Sequence, residues 1–213
     1  MPPWTDNGGC MAAMCGKGCV AIATDYDTGV RELQPTDNGF KKVFKISQRT
    51  FVGFTGLQMD ILALRDRADN HKQLREGFNN GQMSPQQFSI VVSNLLFKQR
   101  SKPYYVEPMV VGLEPDPNTK SLRPYICHMD WIGCRRESNK FAVAGTCAAQ
   151  LTGMCASMWQ PDLSPDDLFQ VISTAVLGAL DRDPTIPLGV GALVCLIEEH
   201  RITERLVDSN LAN

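Results

Sequence analysis

The sequence predicts an α+β fold in which two β-sheets are packed face to face between two layers of helices. The predicted strands fall into groups joined by short turns, and the predicted helices fall into two pairs between those groups. Several strands, such as those around 20–23 and 190–197, are apolar at almost every position, which is typical of strands covered on both faces. A four-layer αββα sandwich accounts for these observations.

The first group holds four predicted strands. Apolar runs at 10–15 and 19–24 flank a Gly-Lys-Gly turn, in which Gly16 and Gly18 tolerate the positive φ of a hairpin. After a polar stretch, strand-like runs follow at 43–47 and 50–54, separated by two polar residues.

The middle of the chain alternates between helical and strand-like patterns. Leu57, Ile61 and Leu64 recur at helical spacing and predict an amphipathic helix over 57–78. Ser84, followed by a proline at the first helical position, begins a second helix. Three predicted strands come next, at 107–114, 123–130 and 141–145.

The last third predicts two more helices and two closing strands. The helices cover 147–159 and 166–183, with Ser164 as the N-cap of the second, and the strands cover 189–197 and 201–207. No linker rich in proline, glycine or serine divides the chain, so we expect a single domain over 1–213 with a short extension at 1–8.

Composition excludes several classes of protein. The 213 residues carry a net charge of −2, which gives no field for nucleic acid or an anionic membrane surface. No apolar run is long enough to span a bilayer, and the first residues lack the pattern of a signal peptide, so we expect a soluble intracellular protein.

The cysteines predict buried thiols in a reducing compartment. None forms a Cys-x-x-Cys pair, and only three histidines are available as co-ligands, so no metal site is expected. Most lie within apolar runs, where a thiol behaves as a small hydrophobe. The eight are Cys10, Cys15, Cys19, Cys127, Cys134, Cys147, Cys155 and Cys195.

Common catalytic motifs are absent. There is no Gly-x-Ser-x-Gly, and the glycines of "CGKGC" lack the spacing of a phosphate-binding loop. The pair Glu198-Glu199 is interpreted as solvated charge. No cofactor is expected.

Six segments in combination resemble one family along essentially the whole chain. They are "NGGCMAAMCGKGCVAIATD", "KPYYVEPMVVGLEP", "YICHMDWIGC", "AGTCAAQLTGMCASMW", "DDLFQVISTAVLGALDRD" and "GVGALVCLIEE". The chain resembles proteasome beta-type subunits, which implies the sandwich fold of N-terminal-nucleophile hydrolases. In active members the mature chain begins with a threonine whose hydroxyl attacks the substrate and whose own amine acts as base.

When the catalytic residues of active members are matched to this sequence one position at a time, the resemblance implies a damaged catalytic site. Counting back from Asp25, which matches the strand-end aspartate, Gly9 falls at the nucleophile position. Lys42 best matches the family's lysine, although one extra residue in the preceding loop leaves Lys41 open. Ala144 replaces a serine before a glycine.

The end of the fourth predicted helix completes the comparison with active members. Asp183 matches an aspartate that active members have late in the chain. Those members have a serine three residues after it, and in this chain that position is Ile186. The role of the loop at 184–187, with a proline at each end, is left open.

An active alternative remains at Cys10. Cleavage after Gly9 would expose a cysteine with its own amine as base, giving an active N-terminal-nucleophile peptidase. Cys10 is one residue out of register with the family's nucleophile, and in a strand that shift points a side chain to the opposite face. A monomeric binding module on the same fold is a third possibility.

The resemblance implies a non-catalytic structural subunit in the beta ring of the 20S core particle. Its partners would be the other alpha and beta subunits of a 28-subunit particle, with unfolded polypeptides as substrates in the central chamber. Asp130 and Cys134 would help to complete the substrate pocket of a neighbouring subunit with trypsin-like specificity. The particle would act in ATP- and ubiquitin-dependent degradation in cytoplasm and nucleus.

Overall fold

The computed structural model describes residues 9–26, 40–79, 81–116, 121–183 and 190–208. In these ranges the chain forms ten strands and four helices. Two five-stranded sheets face each other, and a pair of helices covers the outer face of each sheet. The predicted αββα sandwich is confirmed.

The first sheet contains both ends of the described chain. Its strands are β1 (Cys10–Cys15), β2 (Val20–Tyr26), β8 (Phe141–Gly145), β9 (Gly191–Ile197) and β10 (Ile202–Val207). They lie in the order β10-β9-β2-β1-β8, and every neighbouring pair is antiparallel. Because β1 lies between β2 and β8, its first residues lie beside the last residues of both neighbours.

The second sheet comes from the middle of the chain. Its strands are β3 (Val43–Lys45), β4 (Thr50–Gly56), β5 (Val106–Pro115), β6 (Leu122–Met129) and β7 (Arg135–Ser138). They run in sequence order and pair antiparallel throughout.

The four helices are α1 (Gln58–Asn79), α2 (Pro85–Lys98), α3 (Ala148–Met158) and α4 (Pro165–Leu180). The pair α1 and α2 packs on the second sheet, and α3 and α4 pack on the first. Ser84 and Ser164 are the N-caps of α2 and α4, as the sequence predicts, and each accepts a hydrogen bond from the backbone three residues on. None of the described helices is long and apolar enough to cross a membrane.

The core is divided into three apolar layers by the two sheets. The central layer lies between the sheets and includes Met11, Ile22 and Phe51. One outer layer joins the first sheet to α3 and α4, and the other joins the second sheet to α1 and α2. Strands with a layer on each face are buried nearly throughout, which explains the continuous apolar runs in the sequence.

One strand differs from the sequence prediction, which gave three strands rather than four between α2 and α3. The segment β7, with the sequence Arg-Arg-Glu-Ser, was expected to be part of a polar loop. It forms the edge of the second sheet and pairs only with β6. A strand at the edge of a sheet with a solvent-exposed side needs no run of apolar residues, so the hydrophobic pattern alone does not reveal it.

Candidate functional site

The site begins where β1 begins, at the amide of Cys10. This N–H donates a hydrogen bond of 2.8 Å to Oδ1 of Asp25, which stands near the end of the adjacent strand β2. The carboxylate is largely buried, with 12% of its side chain exposed. Asp25 therefore fixes the backbone immediately after Gly9.

A lysine from the second sheet completes this contact. Lys42, directly before β3, places its Nζ 2.5 Å from Oδ2 of Asp25. Its neighbour Lys41 points elsewhere and pairs at the surface with Glu204, 2.9 Å away. Of the two lysines left open by the sequence, Lys42 is the one that lies beside Asp25.

Gly9 lies against this ion pair. A Cβ atom built on Gly9 would stand 2.8 Å from Nζ of Lys42 and 3.0 Å from Oδ1 of Asp25. A side chain at this position would therefore point directly at the ammonium and the carboxylate. The structure thus brings Gly9, Asp25 and Lys42 together from three separate segments.

The backbone around Gly9 is held from the opposite side by the end of β8. The carbonyl oxygen of Gly9 accepts a hydrogen bond of 2.9 Å from the amide of Thr146. Gly145 has a φ of +96°, and a Cβ there would collide with the Gly9 carbonyl, so only glycine fits. We call Gly9, Gly145 and Thr146 the Gly9 corner.

A half-open cavity of about 400 Å³ adjoins this corner. Its polar wall includes Glu107, whose Oε2 accepts a hydrogen bond of 3.1 Å from the amide of Gly145. Tyr105 and Trp131 stack on each other at another wall, with ring centroids 6.4 Å apart. The lining residues are Thr55, Gly56, Tyr105, Val106, Glu107, Trp131, Gly145 and Thr146.

Sequence reasoning missed this cavity wall. Glu107 was expected to begin a strand, and nothing in its local sequence distinguishes it from a surface acid. Its role depends on the packing of β5 against the end of β8. The two hydrogen-bonded residues, Glu107 and Gly145, are 38 residues apart in the sequence.

The other residues that were matched to the family's catalytic residues are Ala144, Asp183 and Ile186. Ala144 is buried between the sheets, opposite Met11 of β1, and offers only a methyl group. Asp183 is buried just beyond the end of α4. Ile186 and the loop at 184–187 lie outside the described residues, as does the extension at 1–8.

Cys10 does not share the environment of Gly9. Its side chain is fully buried in the layer between the first sheet and the helices α3 and α4. There it lies against the side chain of Cys147, the N-cap residue of α3, with the two Cα atoms 5.6 Å apart. Both cysteines are buried, as the sequence predicts, and their contact was not foreseen because β1 and the start of α3 are adjacent only in the folded chain.

The other cysteines are free thiols. Burial raises the pKa of Cys15, Cys155 and Cys195 to about 12 and that of Cys19 to about 11. Cys134 is exposed. No group of three or more potential metal ligands occurs within the ranges that the structure describes.

Asp130 and Cys134 lie together in the loop between β6 and β7. Oδ1 of Asp130 accepts hydrogen bonds from the amides of Ile132, at 3.0 Å, and Cys134, at 2.8 Å. Gly133, with a φ of +92°, packs tightly against the backbone of Ser93 in α2. Asp130 therefore shapes a short loop that is anchored to the helix behind it.

Comparison with known proteins matches the chain to one family. The model of the family described as "Proteasome subunit" matches residues 5–194. "Proteasome subunit beta type-3" of Drosophila melanogaster is 49% identical over 205 residues, which cover 96% of this chain and 97% of that protein. The protein of the same name in Saccharomyces cerevisiae is 39% identical over 203 residues, 95% of each chain.

"Probable proteasome subunit beta type-3" of Schizosaccharomyces pombe is 41% identical over 201 residues, which cover 94% of this chain and 95% of that protein. These similarities run nearly from end to end and agree with the paired sheets and helices of the fold. The chain therefore belongs to the proteasome subunit family.

Proposed function

We propose that this chain is a non-catalytic beta subunit of the 20S proteasome core particle, of beta type-3. One observation carries the non-catalytic assignment: the position that faces Lys42 and Asp25 is occupied by Gly9, which has no side chain to attack a substrate. Ala144, at the position where active members have a serine, lacks a hydroxyl as well. The ion pair would then be a vestige of a catalytic site that now serves the fold.

Its role would be architectural, as one member of a beta ring. The partners would be other alpha and beta subunits in a 28-subunit particle that degrades unfolded polypeptides in cytoplasm and nucleus within the ATP- and ubiquitin-dependent pathway. The whole of 1–213 would form one domain. Support comes from the beta type-3 relatives and from large apolar side chains that α1 leaves exposed, namely Met59, Leu74 and Phe78.

A second role would be to complete the substrate pocket of a neighbouring subunit with trypsin-like specificity. Asp130 would supply negative charge, and Cys134 would lie at the surface of the same loop. A carboxylate favours a basic substrate side chain because opposite charges attract at short range. The anchored conformation of the loop supports this role, since a rigid loop presents its charge at a defined position.

Native mass spectrometry of the endogenous particle tests the architectural role. We expect this chain within a particle of alpha and beta subunits, with residues preceding Cys10 still attached. A chain that begins at Cys10 would instead support an active peptidase. A monomer of 23.5 kDa without partners would support a binding module on the same fold.

Two substitutions at Asp130 test the pocket. Asp130→Asn keeps an oxygen that can accept from the amides of Ile132 and Cys134 but removes the charge. We expect it to weaken trypsin-like cleavage selectively, by roughly tenfold in kcat/KM if about 1.4 kcal/mol is lost. Asp130→Ala removes the loop contacts as well and should be at least as damaging.

The matched control for this experiment is Asp66→Asn, which removes one negative charge from the exposed face of α1. It should leave all cleavage activities unchanged. Equal trypsin-like kinetics in Asp130→Asn and Asp66→Asn particles would contradict the pocket role without affecting the architectural one.

A further inference from the structure

The cavity beside the Gly9 corner contains a carboxylate without a cationic partner. Glu107 is partly buried in the wall, where its Oε2 accepts a hydrogen bond of 3.1 Å from the amide of Gly145. Within the described ranges, its Oε1 accepts no hydrogen bond and no lysine or arginine pairs with it. The described lining of the cavity holds no lysine or arginine either. Withdrawing a carboxylate from water without a cation costs free energy, so this cavity favours a cationic ligand.

An aromatic surface forms another wall of the same cavity. The rings of Tyr105 and Trp131 are stacked, with their planes inclined by 19° and their centroids 6.4 Å apart. The side chain of Trp131 is 41% exposed, so its ring can be approached from outside the protein. A cation within about 6 Å of the face of a tryptophan is attracted to the electron-rich ring. The aromatic wall therefore favours the same class of ligand as the carboxylate.

Both aromatic residues are held in place by the backbone. The amide of Tyr105 donates a hydrogen bond of 2.9 Å to Oδ2 of Asp60 in α1, and its carbonyl oxygen accepts one of 2.9 Å from Leu57. Trp131 directly follows Asp130 in the loop that the carboxylate of Asp130 anchors. The walls are therefore fixed before a ligand enters, and little free energy is spent on ordering them.

We infer that this cavity binds an arginine side chain of an extended polypeptide, with the guanidinium held by Glu107 and covered by the ring of Trp131. The planar fork of N–H donors fits a carboxylate, and the flat guanidinium stacks on an aromatic ring, whereas a lysine ammonium does neither. The volume of about 400 Å³ lies near the lower end of the range for ligand pockets, about 300–1,000 Å³. It suits one side chain, and the open mouth leaves the polypeptide backbone outside.

The inference rests on the proposed function for the source of the polypeptide, which would be a substrate held in the central chamber. The site would retain the polypeptide without cutting it, because Gly9 offers no nucleophile. Asp130 is a separate carboxylate, bound by the amides of its own loop and proposed to serve a neighbouring subunit.

Photo-cross-linking in the intact particle tests the site. The probe is a short blocked peptide with one arginine beside a diazirine amino acid, and the comparison peptide has citrulline, which has nearly the same shape but no charge. All N-terminal threonines are first blocked with an irreversible inhibitor, so that the probe is neither cut nor bound in the neighbouring trypsin-like pocket. We expect saturable cross-links to residues 105–107 or to Trp131, at roughly tenfold lower concentration for arginine than for citrulline.

Two substitutions separate the contributions of the carboxylate and the ring. Glu107→Gln keeps an oxygen for the amide of Gly145 but removes the charge. It should weaken binding of the arginine probe by roughly tenfold and leave the citrulline probe unchanged, a selectivity that a merely structural defect would not produce. Trp131→Leu should weaken the arginine probe by roughly two- to fivefold.

The matched control is Asp66→Asn, which removes a negative charge from the exposed face of α1 and should leave both probes unchanged. Equal binding of the two probes to the unaltered particle would overturn the inference, and so would a loss in Asp130→Asn particles that Glu107→Gln particles do not show. If native mass spectrometry still finds this chain in the particle, either result leaves the architectural role intact.

Discussion

Nζ of Lys42 lies 2.5 Å from Oδ2 of Asp25, and this contact joins the second sheet to the first beside Gly9. The two side chains are 15% and 12% exposed, so the pair is mostly withdrawn from water. The other carboxylate oxygen binds the amide of Cys10. Through these contacts the ion pair holds the start of β1 against β2 and against the segment that leads into β3.

Asp25→Ala should destabilise the subunit substantially. The change leaves the ammonium of Lys42 and the amide of Cys10 without their acceptor in a poorly hydrated site, which costs about 2–4 kcal/mol. Pulse proteolysis of this subunit across a urea titration of the particle measures the loss. Glu204→Gln, which breaks the exposed pair with Lys41, is the control and should cost less than about 1 kcal/mol.

Gly9→Thr alone should not create a peptidase. The new side chain would meet Lys42 and Asp25, but Ala144 still provides no hydroxyl. The measurement is covalent labelling of this subunit by an irreversible inhibitor directed at N-terminal threonine, in particles whose altered chain is processed to begin at residue 9. Stoichiometric labelling would contradict this expectation and show that one substitution restores the site.

Cys134 should be the fastest-reacting thiol among the described residues. It is exposed, whereas burial raises the pKa of Cys155 to about 12, which leaves roughly one thiolate in ten thousand at pH 8. Peptide mapping after brief maleimide treatment checks this order. If Cys134 borders a neighbour's pocket, its labelling should be slower in the assembled particle than in dissociated subunits; equal rates would count against that position.

His128 should make the subunit less stable as the pH falls below about 6.5. Burial lowers the pKa of His128 and Arg136 adds to the effect, while Glu107 and Asp130 act in the opposite direction. Its buried Nε2 has no hydrogen-bond partner within the described structure. The unfolded chain therefore takes up a proton at a higher pH than the folded chain, and stability is lost as the pH drops from that point.

The loss is at most about 1.4 kcal/mol per pH unit from one such group. Unfolding midpoints at pH 7.5 and 5.5 measure it, and His128→Gln should reduce the difference. His200→Gln, at a side chain 84% exposed, should leave the difference unchanged. An identical pH dependence in the unaltered and His128→Gln particles would rule out His128 as its source.

The sequence by itself determined the helices, every strand except β7, and the chemical content of the candidate site. Some elements follow from signals within a few residues of the sequence. Turn residues specify the hairpin around Gly16-Lys17-Gly18, and capping residues followed by apolar residues at helical spacing specify the helices that begin after Ser84 and Ser164. The residue types alone also show that Gly9 has no side chain and that Ala144 has no hydroxyl.

Tertiary structure alone decided which of these residues meet. It selected Lys42 rather than Lys41 for Asp25, brought Cys10 beside Cys147, and gave the polar segment β7 a place at a sheet edge. It also brought Glu107 to the amide of Gly145. Local periodicity carries no information about the contacts between the sheets: Lys42 and Asp25 are 17 residues apart, Glu107 and Gly145 are 38 apart, and each pair meets only when the two sheets pack.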